Sequence, residues 1–373
     1  MKDSTIPFSM STNLSRLRMV HHTILRDQGG TAMIAGLLSL GMCSRGWDSR
    51  VESEICGTNG RPSPDLKGRD QDVLVHIHST QNWPKTLLSC LGLKQRPVVT
   101  MHDASLFTGG CVYPLECRKW LAGCHECQRG YSDSHEDWQR RQDAAALVKP
   151  VLVSPSAWLA EMAERAFPGL KVRVIANGIE QASALKDDQG HIPDFQGELV
   201  LFVAHGGVEA GYKSGGQWMR IWKLIKKTRP RARALFVGNK VQDRTADVFH
   251  LPYLPNHAVR SIMERASILI YPSIADNHPL VILEAMMSRL PVVSFGVGGI
   301  PEQIKSGSTG ILIRPGDYQA MAESAAGLLM HPRQARAMAE QAYGVAMDRF
   351  TSPRMIDEYG DIYQDLAAKK EEK

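Results

Sequence analysis

Short apolar runs alternate with stretches of helical period along most of the chain. LRMVHH (17–22) predicts a strand, Gly29 and Gly30 a turn, and TAMIAGLLSLGMCSRG (31–46) a helix. DVLVHIH (72–78), PVVTMHD (97–103) and VLVSPS (151–156) predict further strands, with helical segments between several of them. Beyond KVRVIANGIE the chain turns polar across 181–197, and the alternation then restarts. LVLFVAH (199–205), ALFVG (234–238), SILIYPS (267–273), PVVSFG (291–296) and GILIRP (310–315) predict strands, and about 215–228 a helix. Such alternation implies parallel sheets covered by helices. The fold class expected is α/β, two doubly wound, Rossmann-like domains facing across a cleft. Their expected bounds are 1–185 and 186–350, with 351–373 a helix and tail packing back on the first domain. In such sheets ligands sit beyond the C-terminal strand ends, which here means the cleft.

Composition narrows the class without deciding it. The 373 residues are 43% hydrophobic and 22% charged, as in soluble globular proteins. No window approaches the ~20 apolar residues of a membrane-spanning helix. The N-terminal MKDSTIPFSMSTNLSRLRMV lacks the charged start and apolar stretch of a secretory signal. With seven cysteines, an odd number, the expectation is a reducing cytoplasm. A net charge of +5 favours anionic ligands or an acidic membrane surface at the inner face of the plasma membrane, and no nucleic-acid partner is read from it.

The stretch DNHPLVILEAMMSRLPVVSFGVGGIPEQI (276–304) concentrates the chemistry. SILIYPS delivers Asp276, Asn277 and His278 to the cleft rim. Pro279 suits the first turn of the helix PLVILEAMMSRL, leaving the N–H groups of Leu280 and Val281 for an anion. Glu284 lies in the second turn. Gly298 and Gly299 are expected to let a second helix, IPEQIKSG, bring its N-terminus to the same place. Two helix N-termini suit a diphosphate, and carboxylates suit ribose or sugar hydroxyls. Together they point to a nucleotide diphosphate-sugar.

An acid eight residues before Glu284, followed by GGIPE, resembles the donor signature of retaining glycosyltransferases of the GT-B fold, family 4. QGGTAMIAGLL resembles that family's N-terminal glycine loop, VVTMHD a first-domain strand, and VSPSAWLAEMAERAF with NGIE the end of the first domain. TGGCVYPLECRKWLAGCHEC resembles an insert of members that build bacterial polysaccharides. The resemblance implies that Glu284 holds the ribose hydroxyls and Asp276 those of the donor sugar. Amides around His278, Leu280 and Val281 would bind sugar and phosphate, with Gly30 closing from the first domain. Lys213 would stabilise the leaving diphosphate, and His102 would lie by the reacting sugar. The base is placed near Gly238, Tyr253 and Leu254. The chain departs from the pattern in two places: Asp276 stands for a glutamate, and the arginine expected before Lys213 is absent. His205, Tyr212 and Arg314 are the nearby candidates for its role.

The implied reaction is metal-independent transfer of a hexose, with retention, from a UDP-sugar (or GDP-sugar) to a saccharide or lipid-linked acceptor. The sequence offers no second acid aimed at the anomeric carbon, so the leaving phosphate is expected to help deprotonate the acceptor. Other readings are a non-catalytic nucleotide-sugar-binding partner or an epimerase of the same fold. A nicotinamide enzyme is disfavoured, because HTILRDQGGTAM lacks G-x-G-x-x-G.

Two features stay open on the sequence. Cys111, Cys117, Cys124 and Cys127 lie in a stretch of unclear period, about 103–137, that needs something to hold it. Structural Zn²⁺ and simply buried thiols are the two readings. His76 and His78 are read as facing opposite sides of one strand. The basic run KLIKKTRPRAR (223–233) is read as a helix C-terminus, with a membrane-surface patch as the sharper alternative.

Overall fold

The computed structural model describes residues 18–26, 28–55, 71–181, 197–240, 242–244 and 247–368. Most of the polar stretch expected to join the domains, and the last five residues of the tail, lie outside them.

The first sheet is wholly parallel, in the order β2-β1-β3-β4-β5-β6. Its strands are β1 (Arg18–Leu25), β2 (Asp48–Ile55), β3 (Val73–Ile77), β4 (Val98–Thr100), β5 (Val151–Ser154) and β6 (Val172–Val174). The helices between them are α1 (Gly29–Ser44), α2 (Trp83–Leu88), α3 (Ser134–Val148) and α4 (Ala157–Ala166). The second sheet runs β13-β12-β11-β7-β8-β10-β9, with only β9 antiparallel. It comprises β7 (Leu199–Val203), β8 (Arg233–Asn239), β9 (Asp243–Arg244), β10 (Val248–Pro252), β11 (Ile268–Tyr271), β12 (Val292–Phe295) and β13 (Ile311–Ile313). Around it lie α5 (Trp218–Thr228), α6 (Asn256–Arg265), α7 (Leu280–Met287), α8 (Ile300–Gln303), α9 (Tyr318–Met330) and α10 (Pro332–Arg349).

The central strands are continuous apolar runs because both faces are covered; VLVHI of β3 and ILIY of β11 are buried throughout. β2 was not legible: DSRVESEI is charged and only partly buried at a sheet edge. Nor was β10, where His250 and Pro252 interrupt the apolar run.

A last helix, α11 (Ser352–Ala368), leaves the second sheet and packs on the first. Its Met355, Tyr359, Ile362, Tyr363 and Leu366 complete a core with Ile34, Leu38 and Met42 of α1. Tyr363 Oη lies 2.7 Å from His76 Nδ1, and Tyr359 Oη lies 2.7 Å from Thr100 Oγ1. Gly41 permits this contact, since a Cβ there would come within 2.6 Å of Ile356.

Side chains at the cleft also join the halves. Asn277 Nδ2 donates to the carbonyls of Met101 (3.1 Å) and His102 (3.3 Å), and Ser156 Oγ donates to Asn277 Oδ1. Asn177 Nδ2 donates to the His278 carbonyl at 3.0 Å. The Glu302 carboxylate accepts the N–H groups of Ala157 (2.8 Å) and Trp158 (2.9 Å), capping α4 from the other domain.

Replacing Tyr363 by Phe leaves the buried His76 nitrogen without its partner and is expected to cost about 1–3 kcal/mol. Tyr363→Ala also empties core volume and should cost about 3–5 kcal/mol. Denaturant unfolding monitored by circular dichroism reads both, and a Tyr363→Phe variant as stable as the native protein would remove the hydrogen bond from the account.

Candidate functional site

The cleft holds a cavity of about 360 Å³ lined from both domains. Gly29, Gly30, His102, His205, Lys213, Gly238, Tyr253, Leu254, Asp276, Asn277, His278, Pro279, Leu280, Val281 and Glu284 all contribute to its wall. The topology explains the convergence: the sheets are parallel, so loops after β1, β4, β7, β8, β10 and β11 leave at the strand ends that face the cleft.

At its centre is a knot of three side chains. Lys213 Nζ pairs with Asp276 Oδ2 and lies 2.6 Å from Tyr271 Oη, which itself donates to Asp276 Oδ2 at 2.6 Å. The Lys213 side chain is 20% exposed and that of Asp276 9%, so water screens the pair little. Burial and the neighbouring Asp276 push the Tyr271 hydroxyl well above its usual range, which keeps it a donor. The turn bearing Lys213 is pinned because the Tyr212 carbonyl accepts Ile274 N–H (2.8 Å) and Ser273 Oγ–H (3.2 Å).

Glu284 contrasts with the knot. It is buried, and its carboxylate accepts no hydrogen bond from any described residue. Desolvation raises its pKa to about 7, against a weaker pull from Arg260. Such a group wants two hydroxyl donors. Nearby, the first-turn N–H groups of α7 at Leu280 and Val281 have no intrahelical acceptor. Pro279 sits one place before the expected first helical position, as the N-cap, at φ −63° and ψ 125°.

Gly30 meets the opposite domain closely, since a Cβ on it would stand 3.1 Å from Leu280 Cδ1. The Gly29 N–H donates to Tyr253 Oη at 3.4 Å, and Tyr253 packs edge-on against His205 at 5.4 Å.

Several expectations are corrected. Gly298 and Gly299 do not line the cavity. Gly298 has φ +58°, and a Cβ there would meet the Asp276 carbonyl at 1.8 Å; Gly299 lies equally close to Asn277. They support the Asp276–Asn277 loop from behind. The helix after them is only Ile300–Gln303, and it presents Glu302 to α4 instead of an N-terminus to the cavity. The Asn277 side chain, expected on the donor, is engaged by Ser156 and by first-domain carbonyls. The ring of His278 faces Gln303 (3.1 Å) and Phe350. Arg314 is exposed at the end of β13 and lies outside the cavity wall. Lys213 is the single Lys or Arg among the described lining residues.

His76 and His78 share one side of β3, with ring centroids 3.9 Å apart, because residues two apart on a strand point the same way. A second acid is also present: Asp103 lines the cavity, its pKa raised by burial while Oδ1 accepts Ser105 N–H at 2.8 Å. Its place in MHD, directly after His102, was the available signal. Tyr113, from the cysteine insert, also reaches the cavity and accepts Asn277 N–H at 3.2 Å.

Cys111, Cys117, Cys124 and Cys127 line one small cavity of about 20 Å³. Among the described residues the one group of potential ligand atoms within 4.8 Å of one another is His21, His76 and His78. Side-chain donors hold the insert. Lys119 donates to the Glu126 carbonyl (2.8 Å), Ser134 to Cys124 (2.7 Å), Trp138 to Trp120 (2.8 Å), and Arg129 and Arg141 to Tyr113 and Thr108. Phe107 and Trp120 pack beneath, with ring centroids 5.4 Å apart.

The basic run around α5 is partly neutralised locally: Lys226 pairs with Asp247 at 3.1 Å and Arg229 with Glu198. Among the described residues no helix is long and apolar enough to cross a membrane.

Residues 198–345 match the family described as glycosyl transferases group 1. The N-acetyl-alpha-D-glucosaminyl L-malate synthase of Bacillus anthracis is 30% identical over 152 residues, 41% of this chain and 36% of its own length. The putative colanic acid biosynthesis glycosyl transferase WcaC of Escherichia coli K12 is 23% identical over 253 residues, covering 60% and 59%. The matches thus span between about one third and three fifths of these relatives. Anabaena Alr3699/HepE, solved in complex with UDP-glucose, superposes with a TM-score of 0.67 at 15% identity, covering 93% of this chain and 100% of that one. The fold is GT-B.

Linkage gives a test of the Glu284 environment. Its folded pKa, about 7, lies above the ordinary glutamate value of 4.5, so ionisation destabilises the fold. The penalty is absent below about pH 4.5, grows between the two values and is complete above about pH 7. Glu284→Gln is therefore expected to stabilise the ligand-free protein by about 3 kcal/mol at pH 8 and by little at pH 4. Thermal unfolding against pH measures this, and a pH-independent difference would contradict it.

Proposed function

We propose that this chain, a GT-B protein whose second domain is a group 1 glycosyltransferase domain, is a retaining glycosyltransferase. It moves a hexose from a nucleotide diphosphate-sugar, UDP favoured over GDP, to a saccharide or lipid-linked saccharide. The observation that carries the reading is the unpartnered, desolvated carboxylate of Glu284 in the same cavity as Lys213, Asp276 and the first turn of α7. A ribose diol satisfies Glu284, a diphosphate suits the α7 amides and Lys213, and Asp276 takes sugar hydroxyls. Gly238, Tyr253 and Leu254 form the base end, and Gly29 and Gly30 close over the phosphates.

In the ligand-free knot Asp276 neutralises Lys213. Donor binding exchanges that partner for the diphosphate, leaving Asp276 to accept from the sugar. As the anomeric bond breaks, charge accumulates on the leaving phosphate, where Lys213 and the helix N-terminus have most leverage. One oxygen of Asp103 is occupied by Ser105 N–H, which favours the leaving phosphate as acceptor of the proton from the attacking hydroxyl. No divalent ion is needed for these steps, and domain closure keeps water from the donor.

The likeness to WcaC, a putative colanic acid biosynthesis glycosyl transferase, and the UDP-glucose bound to the Anabaena protein favour polysaccharide assembly from a UDP-sugar. On this reading the chain works in the cytoplasm, at most peripherally on the membrane. The single lining cation favours one other reading, a partner that binds the donor without transferring it. Acceptor-dependent turnover separates it, and the epimerase, from the transferase.

Calorimetry with UDP, GDP and their hexose conjugates is expected to show binding of one nucleotide family, weakened at least tenfold by Lys213→Ala or Glu284→Ala. Affinity should rise with pH through about 7, because the diol binds the ionised Glu284. No binding to the folded protein would contradict the reading. The cysteine insert is proposed to be a thiol-lined pocket held by side-chain bonds to carbonyls. One equivalent of zinc in the purified protein would replace that account with a structural ion.

A further inference from the structure

Beneath the cavity four histidines from neighbouring strands pack together. His21 comes from β1, His76 from β3, His78 from the position just after β3, and His102 from the loop after β4. His76 is closed: Nδ1 faces Tyr363 Oη at 2.7 Å and Nε2 faces Thr100 Oγ1 at 2.8 Å. The other three form an open chain. His21 Nδ1 lies 3.1 Å from His78 Nε2, and His78 Nδ1 lies 3.3 Å from His102 Nε2. At the buried end, His21 Nε2 has no partner. At the other, His102 lines the cavity, and its Nδ1 is bonded to no described residue.

Burial keeps the rings neutral near pH 7. The pKa falls to about 3 for His21 and about 4 for His102, and that of His78 well below its usual value. A neutral imidazole carries one N–H and one lone pair, so each hydrogen bond in the chain fixes the next ring. Only two proton arrangements make both bonds. In one, His102 donates to His78 and His78 to His21, which leaves the His21 proton on its orphaned Nε2. In the other, His21 donates to His78 and His78 to His102, which leaves only a lone pair at the buried end. A buried N–H without an acceptor is the costlier of the two, so the second arrangement wins.

We infer that His21 and His78 are positioning residues that hold His102 as its Nδ1–H tautomer, so that it presents a hydrogen-bond donor to a sugar oxygen in the cleft. The ligand contact rests on the donor-cleft reading; the tautomer does not. Neither His21 nor His78 lines the cavity, so both act only through His102. A fixed donor selects a hydroxyl or phosphate oxygen able to accept at that point. A free imidazole would flip to suit either polarity.

The test is the tautomeric state of His102 in histidine-selective ¹⁵N-labelled protein, read by long-range proton–nitrogen correlation and assigned with His102→Gln. The proton is expected on Nδ1. His78→Gln offers an oxygen to His21 and an N–H to His102, so it should keep that tautomer. His78→Met fills similar space without either bond, so it should let His102 average between tautomers and lower kcat at least about tenfold, with the rate recovered in His78→Gln. A proton on Nε2 in the native protein overturns the inference, whether or not the methionine variant folds. So does an unchanged tautomer in a folded His78→Met. A transition metal bound by the native protein and lost from a folded His21→Gln variant would overturn it too, by assigning the His21, His76 and His78 nitrogens, all within 4.8 Å, to an ion. An intact Nδ1–H with no turnover would instead count against the transferase reading alone.

Discussion

The cleft depends on one buried ion pair. Lys213 and Asp276 face each other with little water, and Tyr271 ties the two together. Removing one member of such a pair costs ~3–5 kcal/mol, because the other is left charged and dry. A ligand that separates them must therefore supply a partner to each at once. A diphosphate joined to a polyhydroxylated ring does so. Glu284 adds a second constraint, a carboxylate held away from water with nothing to accept. The protein gives up stability there, and on the proposed function it does so to keep a diol site ready.

The rest of the fold places this pair at the junction of two domains. Gly298 and Gly299 let β12's following turn press against the carbonyls of Asp276 and Asn277. Asn277 then reaches across to Met101 and His102, so the loop that carries Asp276 is tied to the loop that carries His102. Glu302 and α11 add further bridges. The two walls of the cleft are thus joined by hydrogen bonds between side chains of one domain and backbone groups of the other.

Much of this was legible in the sequence because central parallel strands and their helices have strong periods. The motif around Glu284 was legible through its resemblance to a donor signature, and its Asp276 and Glu284 do line the cleft cavity. What escaped had physical reasons. β2 alternates charge along an edge, and His250 and Pro252 mask β10. Nothing local says that Asn277 bonds carbonyls 175 residues away. The glycine pair was taken for a ligand loop, although glycine serves close backbone approach equally well. His76 and His78 were assigned to opposite sides against the two-residue period of a strand. The side-chain bonds from Lys119, Ser134 and Trp138 to loop carbonyls in the cysteine insert leave no pattern in sequence.

The central claim is that Asp276 competes with the donor's diphosphate for Lys213. Calorimetric binding of UDP, without sugar, to the native protein, Asp276→Ala, Lys213→Ala and the double variant tests it directly. The account predicts that Asp276→Ala binds UDP more tightly than the native protein, and that this gain disappears when Lys213 is also replaced. UDP binding weakened by Asp276→Ala, to the same degree with or without Lys213, would contradict it.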